Sequence, residues 1–328
     1  MILVTGGTGF LGSHLLRKLV KTGMPVRALY RRDIPGEVKD IADRISWVKG
    51  DVLDVCALEE AMEGIEKVYH CAGMVSFRPE AREQVMKVNV EGTANVVNLA
   101  LDAGVKKMVH VSSVAALGRA KTGKMIDEAS EWQDSKHNSL YAVSKYQAEM
   151  EVWRGIAEGL PAAIVNPSII LGPDYFEDGS GLLIKNAWRE FPYYTEGVTG
   201  FTDVDDVAAI MIRLMESTVS GQRFVISADN WRYVDLFTEM AIQLNKKPPH
   251  KLVKPWQAEI VWRMEVLRSK LTGKKAVLTK ETAHTAQLKV YYNNEKILKT
   301  LPDFTFTPLK ETIARMCKGY LETVKTSS

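Results

Sequence analysis

The sequence predicts a doubly wound α/β fold, in which a parallel sheet covered on both faces is followed by a smaller, mainly helical lobe. Three observations carry this expectation. Short β-branched runs alternate with longer helical patterns through the first two-thirds of the 328 residues, the rhythm of strand–helix–strand units. Several of those runs are apolar almost throughout, as strands buried on both faces are. After Pro167 the alternation breaks into a stretch, 171–200, rich in glycine, proline and aromatics.

The elements follow in order. "ILVT" (2–5) opens as a strand, and a helix over 11–22 sets Leu11, Leu15, Leu16 and Leu19 on one face. Further strands are expected at "VRALY" (26–30), "ISWV" (45–48), "KVYHCA" (67–72), "KMVHVSS" (107–113) and "AAIVNP" (162–167). Helices are expected over 80–102 and onward from 141. "VDDVAAIMIRLMES" and "QRFVIS" add one more helix–strand unit. From about 228 the pattern is mainly helical, with turns at 246–250 and 302–308. Residues 255–272 place Trp256, Ile260, Met264 and Leu267 on one helix side. Acidic residues interrupt the polar face, so core packing is expected there rather than membrane attachment.

Composition narrows the class. Hydrophobic residues make up 46% and charged residues 25%, the values of an ordinary globular protein. A net charge of +3 is too slight to suggest nucleic acid. Cys56, Cys71 and Cys317 are too few and too widely spaced for a disulfide framework, which fits a reducing compartment. No CxxC or HExxH occurs, and the six histidines are scattered, so no metal site is expected. There is no basic leader and no run of roughly 20 apolar residues. A cytoplasmic protein with neither membrane nor nucleic-acid partner is the expectation.

"ILVTGGTGFLGSHLL" reads as strand, glycine-rich turn and helix. Gly7, Gly9 and Gly12 fit GxGxxG, and Gly6, Gly9 and Gly12 fit a looser version. Glycines there let the backbone around Thr8, Phe10 and Leu11 approach a pyrophosphate at the helix N-terminus. The flanking strand and helix lift the motif above an ordinary flexible turn. Some 20 positions on, an acidic residue would hold the ribose of NAD. Tyr30 is followed instead by Arg31 and Arg32, whose planar guanidinium groups suit a 2′-phosphate. NADP(H) is therefore expected over NAD(H), although Asp33 stands close by. Asp51 and Val52 in "GDVLD", and Ala72 and Gly73 in "CAG", follow strands and are placed along the cofactor. On this basis residues 1–168 with 203–227 form a dinucleotide-binding domain, and 169–202 with 228–328 a substrate lobe.

Two stretches, "YAVSK" (141–145) and "YNNEK" (292–296), set a tyrosine four residues before a lysine. Tyr141, Lys145, Ala148, Val152 and Ile156 share one helix side. That puts Lys145 on an apolar stripe, where an unpaired ammonium is costly. Asn293 and Asn294 are natural helix caps, so Tyr292 is expected before its helix and Lys296 in solvent. The first pair suits carbonyl reduction, which needs hydride on carbon and a proton on oxygen. A free tyrosine, with pKa about 10, is poorly poised to give that proton, and a neighbouring lysine charge lowers it. Ser112 and Ser113 lie at the carboxyl end of the preceding strand, where open α/β sheets bind ligands.

With "TGGTGFLG", "HVSSVAALG" and "YAVSK" in this order, the chain resembles the extended short-chain dehydrogenase/reductase family, from residue 1 to about 310. The resemblance implies a Rossmann sheet in which Ser113 orients the carbonyl, Tyr141 is the acid and Lys145 tunes it. It further implies that Pro167 and its neighbour Ile169 contact the nicotinamide, that Asn89 is structural, and that a homodimer forms through helices 80–102 and 141–157. "FTDVDDVA" departs from the family's FVHVDDVA, with Asp203 in place of the histidine. "VRALYRRD", "AGMVSF" and "SSVAALG" look most like the dihydroflavonol-reductase-like branch. Val114–Ala115 stand where sugar-nucleotide dehydratases carry an Asp–Glu pair, which argues against dehydration. The leading reading is an NADPH-dependent reductase of a small aldehyde or ketone. A nucleotide-sugar epimerase that retains NAD, and a non-catalytic dinucleotide-sensing regulator, are the alternatives. Met74, Ser76, Leu117 and Tyr193 are assigned to the substrate pocket by position alone.

Overall fold

The computed structural model describes residues 1–34, 36–76, 79–118, 125–135, 138–177, 179–272 and 280–326. Its centre is a sheet of seven strands: β1 (Ile2–Thr5), β2 (Val26–Tyr30), β3 (Ile45–Lys49), β4 (Lys67–His70), β5 (Lys107–Val111), β6 (Ala162–Pro167) and, late in the chain, β10 (Gln222–Ile226). Their spatial order is β10-β6-β5-β4-β1-β2-β3, and every pairing is parallel. The strands β4 and β5 stop short of the expected ends; Cys71 and Ser112 still donate across to Thr5 O and Val165 O, and the residues after them line the sheet's carboxyl edge.

Period-two alternation sorts the strand side chains between two faces. Ile2, Val4, Tyr69, Val109 and Val165 pack on one side with the helices α1 (Phe10–Lys21) and α7 (Val204–Glu216). Leu3, Val68, Met108 and Ile164 face the other side, under α2 (Val55–Met62), α4 (Gly92–Asp102) and α5 (Leu140–Ala157). The helix expected over 80–102 is not continuous. A short α3 (Arg82–Met86) runs into a π-turn at Lys87–Glu91 before α4 begins. Gly92 lies tight against the Val52 side chain there, leaving no room for a Cβ.

The second lobe has its own apolar cluster, with Leu171, Phe176, Ile184, Phe201, Leu236, Met240, Ile313 and Met316 at its centre. These come from β7 (Ile169–Leu171), α6 (Gly181–Trp188), β9 (Val198–Asp203), α8 (Tyr233–Gln243) and α12 (Leu309–Thr326), with Phe176 from the connection between β7 and α6. A three-stranded sheet joins β7, β9 and β11 (Asp229–Arg232), and β8 (Tyr193–Tyr194) pairs with β12 (Lys251–Leu252). The remaining helices are α9 (Pro255–Thr272), α10 (Lys280–Thr285) and α11 (Glu295–Thr300).

The expected packing of α9 is reversed. Trp256 and Met264 are 60% and 65% exposed, and Ile260 is exposed as well; the side chain of Leu267 lies outside those described. Ala258, on the opposite face, is buried, and α9 packs toward α10. Among the described residues no helix is long and apolar enough to cross a membrane.

Candidate active site

The sheet order changes direction between β1 and β4, and ligands of open α/β sheets bind at such a point. The glycine turn follows β1. Gly6 has φ +69°, and a Cβ on it would sit 2.5 Å from Ala72 N. Gly12 is closed off likewise by the Gly6 carbonyl. Gly9, which caps α1, meets nothing nearer than Gly6 O at 3.4 Å, so its outer side stays open. No side chain caps α1 and no acid occupies its first turn, which leaves the N–H groups of Phe10 and Leu11 for an anion. The residues fit a pyrophosphate. Tyr175, absent from the expected set, donates from its hydroxyl to Thr8 O at 2.8 Å and ties the second lobe to this turn.

Arg31 and Arg32 are exposed just beyond β2. Arg31 stands 3.6 Å from Asp51, so these two sites predicted along the cofactor meet. Asp51 also accepts from Leu53 N, shaping the turn, and Val52 is buried with its carbonyl taken by Asn95. Ala72 donates to the Thr5 hydroxyl at 3.4 Å, and Gly73 is exposed beside Lys145.

Helix α5 starts at Ser139, whose hydroxyl accepts from Ala142 N, so Tyr141 falls in the first turn and Lys145 one turn on. Ser113 caps the short turn Val114–Leu117 and hydrogen-bonds the Tyr141 phenol. Lys145 is 6% exposed and donates to Val111 O at 2.9 Å. Burial pulls its ammonium down to about 8, against opposing contributions from Cys71 and Glu149. The phenol departs from expectation: burial pushes Tyr141 above its ordinary value, and the Ser113 hydrogen bond offsets part of that. Desolvation outweighs the lowering that the sequence assigned to the lysine charge.

A buried chain supports this corner. The Thr93 hydroxyl gives its single proton to Asn89 O at 2.6 Å. His70 Nε2, 2.9 Å from the same oxygen, must then be the donor of that pair. Its Nδ1 is left to accept from Thr5 at 2.6 Å. His70 is therefore neutral, and burial followed by the Lys145 charge holds its pKa down to about 3. Asn89 sits in the π-turn, accepts from Met74 N at 2.7 Å, and donates to Met74 O and the Ser144 hydroxyl. Met74 is thus fixed beside Gly73, with Ser76 partly buried two residues on.

Pro167 is buried at the carboxyl end of β6, and the half-buried Ile169 opens β7. Leu117 does not line a pocket. It is fully buried with Val114, Ile126 and Val225, because the turn capped by Ser113 folds its apolar side chain under β10. Tyr193 is 45% exposed on the outer edge of the second lobe, against Phe191 and beneath Lys251. Asp203 is fully buried, caps α7 through Asp205 N at 2.8 Å, and accepts from Thr312 and Arg315 of α12. The substitution for the family histidine anchors the C-terminal helix. Glu149, also missed, is buried on α5 one turn beyond Lys145. Its position on the Tyr141–Lys145 stripe was the available signal, since a carboxylate there needs a partner as much as a lysine does.

Comparison with known proteins agrees with the geometry. The model of the NAD dependent epimerase/dehydratase family matches residues 2–227. The chain is 31% identical over 306 residues to a putative dihydroflavonol 4-reductase of Synechocystis, covering 91% of this chain and 88% of that one. It is 30% identical to cinnamoyl-CoA reductase 1 of Petunia hybrida over 242 residues, 69% of this chain and 72% of the relative. The crystal structure of gox2253 superposes with a TM-score of 0.84 at 29% identity, covering 98% of each chain. The chain belongs to the NAD-dependent epimerase/dehydratase family and is an NAD(P)-dependent enzyme of the extended short-chain dehydrogenase/reductase type.

Proposed function

We propose that the protein reduces a small aldehyde or ketone to an alcohol with NADPH, Tyr141 giving the proton. The observation that carries this is the hydrogen bond between Ser113 and Tyr141 beside the buried Lys145, at the carboxyl edge of the sheet. The dinucleotide, when bound, supplies hydride to the carbonyl carbon. The chain's own groups do the rest. Ser113 holds the carbonyl oxygen, Tyr141 passes its proton to that oxygen, and Lys145 keeps a positive charge next to the forming phenolate. In this reading Gly6, Thr8, Gly9, Phe10 and Leu11 hold the pyrophosphate. Asp51, Val52, Ala72, Gly73, Pro167 and Ile169 line the rest of the cofactor, and Met74 and Ser76 border the substrate. Residues 1–168 with 203–227 bind the dinucleotide, and 169–202 with 228–328 enclose the substrate; the separate apolar cluster of the second lobe supports that division. Val114 and Ala115 offer no acid for dehydration.

The test is cofactor consumption by purified protein, with NADPH and with NADH, against varied aldehydes and ketones, a dihydroflavonol and cinnamoyl-CoA. Consumption of NADPH with at least one carbonyl compound is expected. Tightly bound NAD with no net consumption would replace this reading with an epimerase. Binding without turnover of any kind would point to a dinucleotide sensor.

Selectivity for the 2′-phosphate is assigned to Arg31 and Arg32. Removing one charge-assisted contact costs about 1.5–3 kcal/mol, so Arg31→Ala should lower the NADPH-to-NADH affinity ratio about tenfold or more. An unchanged ratio in fluorescence titrations would refute the assignment.

A further inference from the structure

We propose that Glu149 is a positioning residue for the reaction: its buried carboxylate fixes the main chain that carries Ser113 and sets a countercharge one turn below Lys145. The proposal rests on the reading of Ser113, Tyr141 and Lys145 given above. Glu149 is fully buried in α5, and every contact it makes reaches a different part of the site. Its Oε2 accepts from the Ser112 hydroxyl at 2.6 Å and from Asn166 Nδ2 at 2.8 Å. The same Asn166 nitrogen spends its other proton on the Ser113 carbonyl at 3.0 Å. Glu149 therefore grips the end of β5 twice, once directly at Ser112 and once through the β6 amide at Ser113.

The other oxygen balances the charge. Oε1 accepts from Arg223 Nη1 at 3.0 Å and from Trp153 Nε1 at 3.2 Å. Arg223 comes from β10 and is itself held by the Glu128 and Ser130 carbonyls. Four donors satisfy a carboxylate's lone pairs, which is what a buried one requires. The arrangement links β5, β6, β10 and α5 behind the site.

The groups that face Lys145 are Cys71 and His70 after and within β4, His110 in β5 and Glu149 in its own helix. His70 and His110 are both held neutral by burial. Burial also pushes the Cys71 thiol up to about 12, so it carries no charge while Lys145 titrates near 8. Among these neighbours, the carboxylate paired with Arg223 is the anion that favours the ammonium. Lys145 remains charged at neutral pH in part because Glu149 stands behind it.

The experiment compares wild type with Glu149→Gln/Arg223→Gln, which removes both charges together, and with Asn166→Ala, which cuts the path to Ser113 and keeps both charges. NADPH affinity is followed by fluorescence, and kcat by NADPH consumption with the carbonyl compound from the screen above. The titration of Lys145 is followed by NMR of ε-13C lysine, assigned with Lys145→Met. In the double variant kcat should fall tenfold or more with NADPH affinity within threefold, and Lys145 should titrate at lower pH. Asn166→Ala should lower kcat about fivefold or more and leave the Lys145 titration in place. A folded double variant with wild-type kcat and wild-type Lys145 titration overturns the proposal. Should that variant not fold, wild-type kcat in Asn166→Ala overturns it instead. If wild type reduces no carbonyl, the reductase reading fails, yet the Lys145 titration still judges Glu149.

Discussion

Tyr141–Lys145 and Tyr292–Lys296 share their spacing, and their groups are perturbed alike. Each lysine donates to a main-chain carbonyl, Val111 O and Arg223 O, both at 2.9 Å. Burial lowers both ammonium groups and raises both phenols. The difference lies in what stands beside them. Lys145 Nζ borders the exposed Gly73, whose missing Cβ would come within 3.2 Å. Lys296 lies over the Phe224 ring, 4.8 Å from its centre. Tyr141 shares a helix with its lysine and meets a serine at a strand end. Tyr292 instead pairs with Ile126 before α11 begins, and its phenol meets Thr199 and Tyr233. A shifted pKa marks burial in both places; what sets the first apart is the serine at the sheet's carboxyl edge and the exposed glycine beside its lysine.

The largest expected effect breaks the pairs apart by chemistry. Tyr141→Phe removes the proton donor and should lower kcat/KM for carbonyl reduction by about 10²–10⁴-fold, the range of general acid catalysis. Tyr292→Phe should stay within about twofold. Equal losses would mean that the spacing mattered through stability alone and that Tyr141 has no catalytic role.

The same contrast shows what the sequence makes legible. Local patterns suffice for β1, the glycine turn and the start of α5, where a cap, a stripe and a strand end lie within a few residues. They also place Tyr292 ahead of its helix, since asparagines follow it. They fail where a distant partner decides. Lys296 was expected in solvent, but it is half-buried against β10, more than 70 residues earlier in the chain. Glu149 falls on the Tyr141–Lys145 stripe, but its partner Arg223 comes from β10, 74 residues away, and no local pattern names it. Asp203 reads only as a departure from the family pattern until Thr312 and Arg315 close over it. Leu117 and the outward face of α9 mislead for a related reason. Apolarity predicts burial, but not which face of a helix finds a neighbour, and α9 buries Ala258 while Trp256 on the opposite side stays exposed.

A smaller effect separates the two lysines by stability. Lys145 falls from an ordinary 10.5 to about 8 on folding, chiefly through burial. Below pH 8 both folded and unfolded chains hold that proton, so the whole cost of burying the charge is present. Between 8 and 10.5 the unfolded chain binds more protons than the folded one, and stability rises with pH as the cost is relieved. The shift corresponds to about 3 kcal/mol at about 1.36 kcal/mol per unit, an upper bound because Val111 O would lose its donor. Lys145→Met should therefore be more stable than wild type at pH 7 while losing activity, with its advantage shrinking toward pH 10. Lys296 shifts in the same direction from a half-exposed position, where solvent screens the charge. Lys296→Met should gain less, change little with pH, and keep its activity. Urea melts of both variants at pH 7 and pH 9.5 decide the matter. A Lys145→Met protein destabilised at pH 7, or gains of equal size at both positions, would show that Lys145 carries no special burden at the site.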